Sequence, residues 1–236
     1  MGQMSTNEIT QSTTAVEAAN ALAKMHATVT MNPLHLAKIP VQERGKIRFN
    51  EIIRVSEELV LSLGIDNVSH YSIAKAAKIP PSSVYQYFPS IAALFAVMAE
   101  KHYMDVFQKI PEIIEDINVR SWKDLAPVIV ESAYDFYTQD KVSEILFLNV
   151  FLTAGVREYS VSRVTRLGLW YKNYFMLLYK KADIEGLEEK LTISLELTKS
   201  IFVRSINLHG EIKLEYKKDA FLVVDQYLGE FFKHIQ

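Results

Sequence analysis

The 236-residue sequence contains no cysteine. That absence removes disulfide scaffolds, thiolate metal sites and cysteine nucleophiles together, and it suits a reducing compartment. Long apolar runs are also missing. The longest, Ile91–Ala99, has nine residues, under half of the roughly 20 that span a bilayer. No basic segment followed by an apolar one opens the chain, so no secretory signal or membrane partner is expected and a cytoplasmic location is. An excess of one charge is lacking too: 26 Lys and Arg face 28 Asp and Glu, a net charge of −2. A polyanion partner must therefore be argued from local arrangement. The six histidines (His26, His35, His70, His102, His209, His234) show no metal-ligand spacing, and HExxH, a Gly-rich phosphate loop and a nucleophile elbow are all absent. No catalytic residue, metal or cofactor is expected.

What is present is a globular composition, 49% hydrophobic and 23% charged, which excludes wholesale disorder and collagen-like repeats. Residues 1–43 read as a flexible amino-terminal arm. Up to Gln42 its only charges are Glu8, Glu17, Lys24 and Lys38. A short Ala-rich helix over Ala15–Ala23 is marginal without packing, and Asn32-Pro33 and Ile39-Pro40 break the chain. The alternative is an arm that docks on a partner or on DNA.

From Arg44 the pattern is helical throughout, and the expected fold class is all-α. Phe49, Ile52, Ser56, Leu59, Val60 and Leu63 repeat at the helical period, with Gly64 placed to end that helix. Ser69 is a natural N-cap for a short helix to Ala77. Pro80-Pro81 interrupts, and a second short helix runs from Pro81 to Tyr87 with proline in its first turn. Ile91–Ile110 then makes a long apolar-rich helix that Pro111 is expected to stop. Further helices are expected over Trp122–Tyr137, Val142–Thr153, Val156–Lys181, Glu188–Leu208 and Lys217–His234.

The stretch Gly64 to Leu94, GIDNVSHYSIAKAAKIPPSSVYQYFPSIAAL, carries the functional signal. Ile73, Ala74 and Ala77 give a small-residue face on which a second helix can cross closely, with Ile79 and Val84 filling the angle. That is how a helix-turn-helix is built. Its second helix would bury Val84 and Phe88 and expose hydroxyls, an amide and phenols suited to base edges and phosphate oxygens. An ordinary pair of core helices would have the same turn composition.

These residues resemble the DNA-binding domain of TetR-family transcriptional regulators. The resemblance rests on Gly64, Ile73-Ala74, Ala77, and Val84-Tyr85-x-Tyr87-Phe88 followed by Ser90 and Leu94, and it covers about Arg48 to Met98. It implies a three-helix DNA-binding domain over residues 44–90, with a larger helical effector-binding and dimerisation domain over 91–236. Pro81, Ser82 and Ser83 would open the recognition helix, Tyr85 would reach a phosphate, and Gln86 and Tyr87 would read or flank the groove. His70 and Tyr71 would touch the backbone from the preceding helix. Two positions depart from the pattern. Lys78 stands where the family usually has Gly in a left-handed turn conformation, and Ile91 stands where a phosphate-contacting Lys is usual. Arg44, Lys46, Arg48 and Arg54 are candidates to compensate as a group. Residues 44–90 hold six basic against four acidic side chains, and residues 111–236 hold 16 against 19, an asymmetry of the sign DNA binding needs.

One recognition helix reads few base pairs, so the architecture implies a homodimer on a double-stranded DNA operator, with half-sites about 34 Å apart. The last two helices are the expected interface, striped by Leu187, Leu191, Ser194, Leu195, Ile201, Phe202, Ser205 and Leu208, and by Phe221, Leu222, Val224, Asp225, Leu228, Phe231 and Phe232. The resemblance also implies an effector pocket in the aromatic-rich middle, for an apolar or aromatic small molecule, with Phe147, Phe151, Trp170 and Tyr174 as ligand-binding candidates; by themselves the same residues suit plain core. The expected function is a ligand-responsive dimeric repressor rather than an enzyme. The alternative is a helical interaction protein of the same fold that has lost DNA binding.

Overall fold

A computed structural model describes residues 37–117, 119, 121–148, 154–179 and 184–233, with the side chains of 108, 154–162, 178 and 179 excepted. Among the described residues there is no strand. The helices are α1 (Glu43–Leu63), α2 (His70–Ala76), α3 (Pro81–Tyr87), α4 (Ile91–Ile117), α5 (Leu125–Gln139), α6 (Lys141–Leu148), α7 (Ala154–Tyr179), α8 (Leu187–His209) and α9 (Leu214–Phe232). None is long and apolar enough to cross a membrane. The chain divides into two compact units. One takes residues 37–103 and 139–160, and the other takes 104–138 and those from 161 onward.

In the first unit α1 buries Phe49, Ile52, Ile53, Val55, Ser56 and Val60; of the expected stripe Phe49, Ile52, Ser56 and Val60 face the core, whereas Leu59 is half-buried and Leu63 is exposed. Ser69 caps α2 reciprocally: its hydroxyl accepts from the Ser72 N–H (3.1 Å) while its own N–H donates to Ser72 Oγ (2.8 Å). The chain leaves α2 through Lys78 at φ 54°, so lysine does adopt the left-handed conformation, at a cost of about 1 kcal/mol. The Ile79 N–H then donates to the Ala74 carbonyl (3.0 Å). Val84 and Phe88 are buried, and Phe88 stacks on Phe49 with ring centroids 4.7 Å apart. That contact fastens α3 to α1.

A charged joint closes the same unit. Nε2 of His102 (α4) donates to Glu57 (α1) at 3.2 Å, and its Nδ1 lies 2.6 Å from Asp140, just ahead of α6. Lys101 reaches the same Glu57 oxygen at 2.9 Å. Burial alone would lower the pKa of His102, but hydrogen bonds to Asp140 and Glu57 outweigh it and raise the group to about 9. Burial likewise opposes ionisation of the two carboxylates. Hydrogen bonds from His102 and Lys101 hold Glu57 below its usual range, and those from His102 and Ser143 hold Asp140 well below.

The second unit is built on rings. Trp170 stacks on Tyr174 (5.6 Å between centroids, 10° between planes), and Trp122 stacks on Phe232 of α9 (4.8 Å). Gly168 lets α7 press against the first turns of α8: a Cβ there would lie 2.1 Å from Thr192 Oγ1 and 3.1 Å from its backbone nitrogen. The expected stop at Pro111 is not observed, because α4 continues through it to Ile117. Proline forfeits one intrahelical bond, but Ile110 and Ile114 on the same face are fully buried, and their packing keeps the helix going. The aromatic segment from Trp122 starts with a single 3-10 turn before α5. The last helix begins at Leu214 rather than Lys217.

Candidate nucleic-acid interface

The α2–turn–α3 segment presents one polar face. Ser82, Tyr85 and Gln86 are exposed, while Pro81, Ser83 and Tyr87 are half-buried. The seven-residue α3 can do this because Val84 and Phe88, four apart, take the inward face. Tyr85 is 44% exposed, and its ring lies almost parallel to that of His70, 3.9 Å away. His70 is only 8% exposed. Its Nε2 lies 2.8 Å from the Phe88 carbonyl; a carbonyl only accepts, so Nε2 carries the proton.

The expectation for His70 therefore changes. It was expected to touch the DNA backbone, and instead it faces inward as a shelf beneath Tyr85, bonded to the end of α3. Its capping turn tips the first residue of α2 toward α3, which sequence spacing alone does not reveal. Tyr71, next in line, is 69% exposed.

At the start of α1, Arg44 and Arg48 are exposed and line a shallow groove with Ile47 and Glu51. Lys46 pairs with Glu43 at 3.6 Å. Arg54 already has carboxylate partners on α1. Its guanidinium is forked between Glu51 (2.8 and 3.0 Å) and Glu58 (2.5 Å), so its charge is already answered on the surface of its own helix. The sequence also gave no weight to Lys38, whose N–H donates to the Tyr87 carbonyl at 2.8 Å. The available signal was the proline–glycine pair Pro40 and Gly45, a bulky and an empty position meeting at the helix start.

Of the ligand-binding candidates, Trp170 and Tyr174 come together as the face-to-face pair in the second unit, both fully buried. Phe147 is buried in α6 of the first unit. Phe151 lies outside the described residues. Along α8 and α9 the expected stripes split in two. Leu187, Leu191, Ser194, Leu195, Phe202 and Ser205 are buried, as are Val224, Leu228 and Phe232. Leu208, Phe221 and Leu222 are exposed. No group of His, Asp and Glu among the described residues could hold a metal ion.

Residues 52–98 match the family model for bacterial regulatory proteins of the tetR family. A TetR-family transcriptional regulator from Streptomyces coelicolor superposes with a TM-score of 0.57 at 15% identity, over 78% of this chain and 98% of that one. The multidrug binding protein EbrR, solved in complex with imidazole, gives a TM-score of 0.57 at 16% identity, over 77% and 89%. No curated protein matches the chain in sequence. Residues 52–98 thus match the amino-terminal domain of the tetR family, and the chain has the all-helical fold seen in a TetR-family transcriptional regulator.

Proposed function

We propose that the protein is a homodimeric repressor that binds an operator in double-stranded DNA and releases it when a small molecule enters its helical body. In this reading residues 44–90 read the DNA, 91–236 bind effector and dimerise, and 1–43 form an arm. The observation that carries it is the outward polar face of α3, held by Val84 and Phe88 beneath it. Ser82, Ser83 and Gln86, after Pro81, meet base edges and phosphates. Tyr85 reaches a phosphate, Tyr87 flanks the groove, and Tyr71 and Arg48 contact the backbone on either side.

Pairing of two copies through α8 and α9 is supported by the apolar side chains those helices leave outside their own core, Leu208, Phe221 and Leu222. Obligate interfaces resemble a core cut in half. For the effector, the stacked Trp170 and Tyr174 favour a mostly apolar, aromatic molecule. A ligand acts only by its different affinity for two conformations; here the moving part is α4, and its swing alters the spacing of the two recognition helices.

The test is a fluorescence-anisotropy titration of labelled duplex from the protein's own promoter region, repeated across salt concentrations and with candidate ligands. The expected outcome is binding whose log K falls linearly with log salt and weakens at saturating ligand. Absence of binding at low salt would leave the helical interaction protein as the answer. Operator affinity unchanged by every ligand would remove the switch alone.

A further inference from the structure

We propose that residues Lys38–Gln42 form a strap that carries the DNA-contacting surface past the end of α3, taking phosphates that flank the half-site. The inference rests on the DNA-binding reading above. Tyr87 is the last residue of α3, so its carbonyl has no partner within the helix. The Lys38 N–H supplies one at 2.8 Å. Ala37 is buried, and Pro40 packs so closely on the first turn of α1 that a Cβ at Gly45 would lie 2.6 Å from Pro40 Cβ. The strap is thereby fastened at Lys38 and at Pro40. Between it and α3 runs a groove lined by Lys38, Ile39, Gln42, Gly45, Gln86 and Tyr87.

Two of those residues belong to the reading helix itself, so a duplex against α3 cannot avoid the strap. A helix with its side chains is about 10–12 Å across, and the major groove is about 12 Å wide. Chain fastened to the end of a helix filling that groove must lie over the sugar-phosphate ridge. The charge is right for it. Lys38, Arg44 and Arg48 are exposed, while the nearest carboxylates are engaged, Glu43 with Lys46 and Glu51 with Arg54. Val41, 90% exposed, stands at the crest, where an apolar side chain meets sugar.

Two substitutions test this on the full chain. Gly45→Ala changes no charge and no residue of α3, yet its new methyl group evicts Pro40 and draws Lys38 off Tyr87. Alanine otherwise favours a helix over glycine, so the protein still folds, which circular dichroism checks. Lys38→Gln removes the charge and leaves the strap docked. The probes are the operator duplex with several flanking base pairs on each side and the same duplex trimmed to its half-sites. Each variant is expected to bind the long duplex several-fold more weakly, with the salt slope reduced by about one per lost phosphate contact, and to bind the trimmed duplex like the unmodified protein. Folded variants that match the unmodified protein in slope and affinity on the long duplex overturn the strap, as does an effect of Gly45→Ala without one of Lys38→Gln. Failure of the unmodified protein to bind either duplex overturns the DNA-binding reading as well.

Discussion

Replacing His102 by Gln should destabilise the protein by an amount that shrinks as pH rises. The imidazole is buried between Glu57 and Asp140, and those carboxylates raise it from an ordinary 6.5 to about 9. Its contribution to stability is complete below pH 6.5, where folded and unfolded chains both hold the proton. It declines as the unfolded chain releases the proton first, and is gone once pH exceeds 9. The interval from 6.5 to 9 converts at about 1.4 kcal/mol per tenfold change in proton affinity to about 3 kcal/mol. Asp140 and Glu57 keep part of their surface in water, so solvent screening trims the expected value to about 1–3 kcal/mol. On the acid side the signs reverse. Glu57 and Asp140 are held below their ordinary 4.5 and 3.8, so what they contribute is present above those values and lost as pH falls through the lower folded ones. The joint is at full strength between about pH 4.5 and 6.5. Urea denaturation of both proteins at pH 5.5, 7.0, 8.0 and 9.5 measures the difference directly, and subtracting the variant cancels the titrating groups that His102 does not touch. A gap that stays constant from pH 5.5 to 9.5 would refute the claim that charge on His102 joins α1, α4 and the start of α6.

Other perturbations follow from the same geometry. His70→Ala removes the shelf under Tyr85 and its bond to Phe88, and should weaken operator binding more than His70→Phe, which restores stacking; equal losses in a binding titration would deny that stacking positions Tyr85. Gly168→Ala places a methyl group 2.1 Å from Thr192 Oγ1 and should lower the denaturation midpoint by the equivalent of about 1–3 kcal/mol, as overpacking does. The second change Thr192→Ser should return little of that, because the backbone nitrogen of residue 192 is also within 3.1 Å. Lys78→Gly relieves the residue at φ 54° and should stabilise by up to about 1 kcal/mol. Leu222→Glu puts a charge on the exposed apolar face of α9 and should shift the protein from dimer to monomer in sedimentation velocity without changing its helical content.

Local chemistry written along the chain determined much of this molecule. A 3.6-residue stripe from Phe49 to Val60 suffices to make α1, Ser69 suffices to start α2, and Val84 with Phe88 suffices to decide which face of α3 turns inward, because each depends on neighbours within one or two helical turns. The motif around Tyr85 and Tyr87 pointed to the family for the same reason: its residues are close together in sequence. Pro111 misled because its penalty is local, whereas the burial of Ile110 and Ile114 that overrides it is not. Only the tertiary structure could decide that His70 lies beneath Tyr85 and that Lys38 reaches Tyr87. Nor could the spacing of His102, Glu57 and Asp140, tens of residues apart, announce that they meet. A side chain's charge and shape are fixed by its type, but what it does depends on which groups the folded chain brings within about 3 Å of it, and for those residues the partners come from distant parts of the chain.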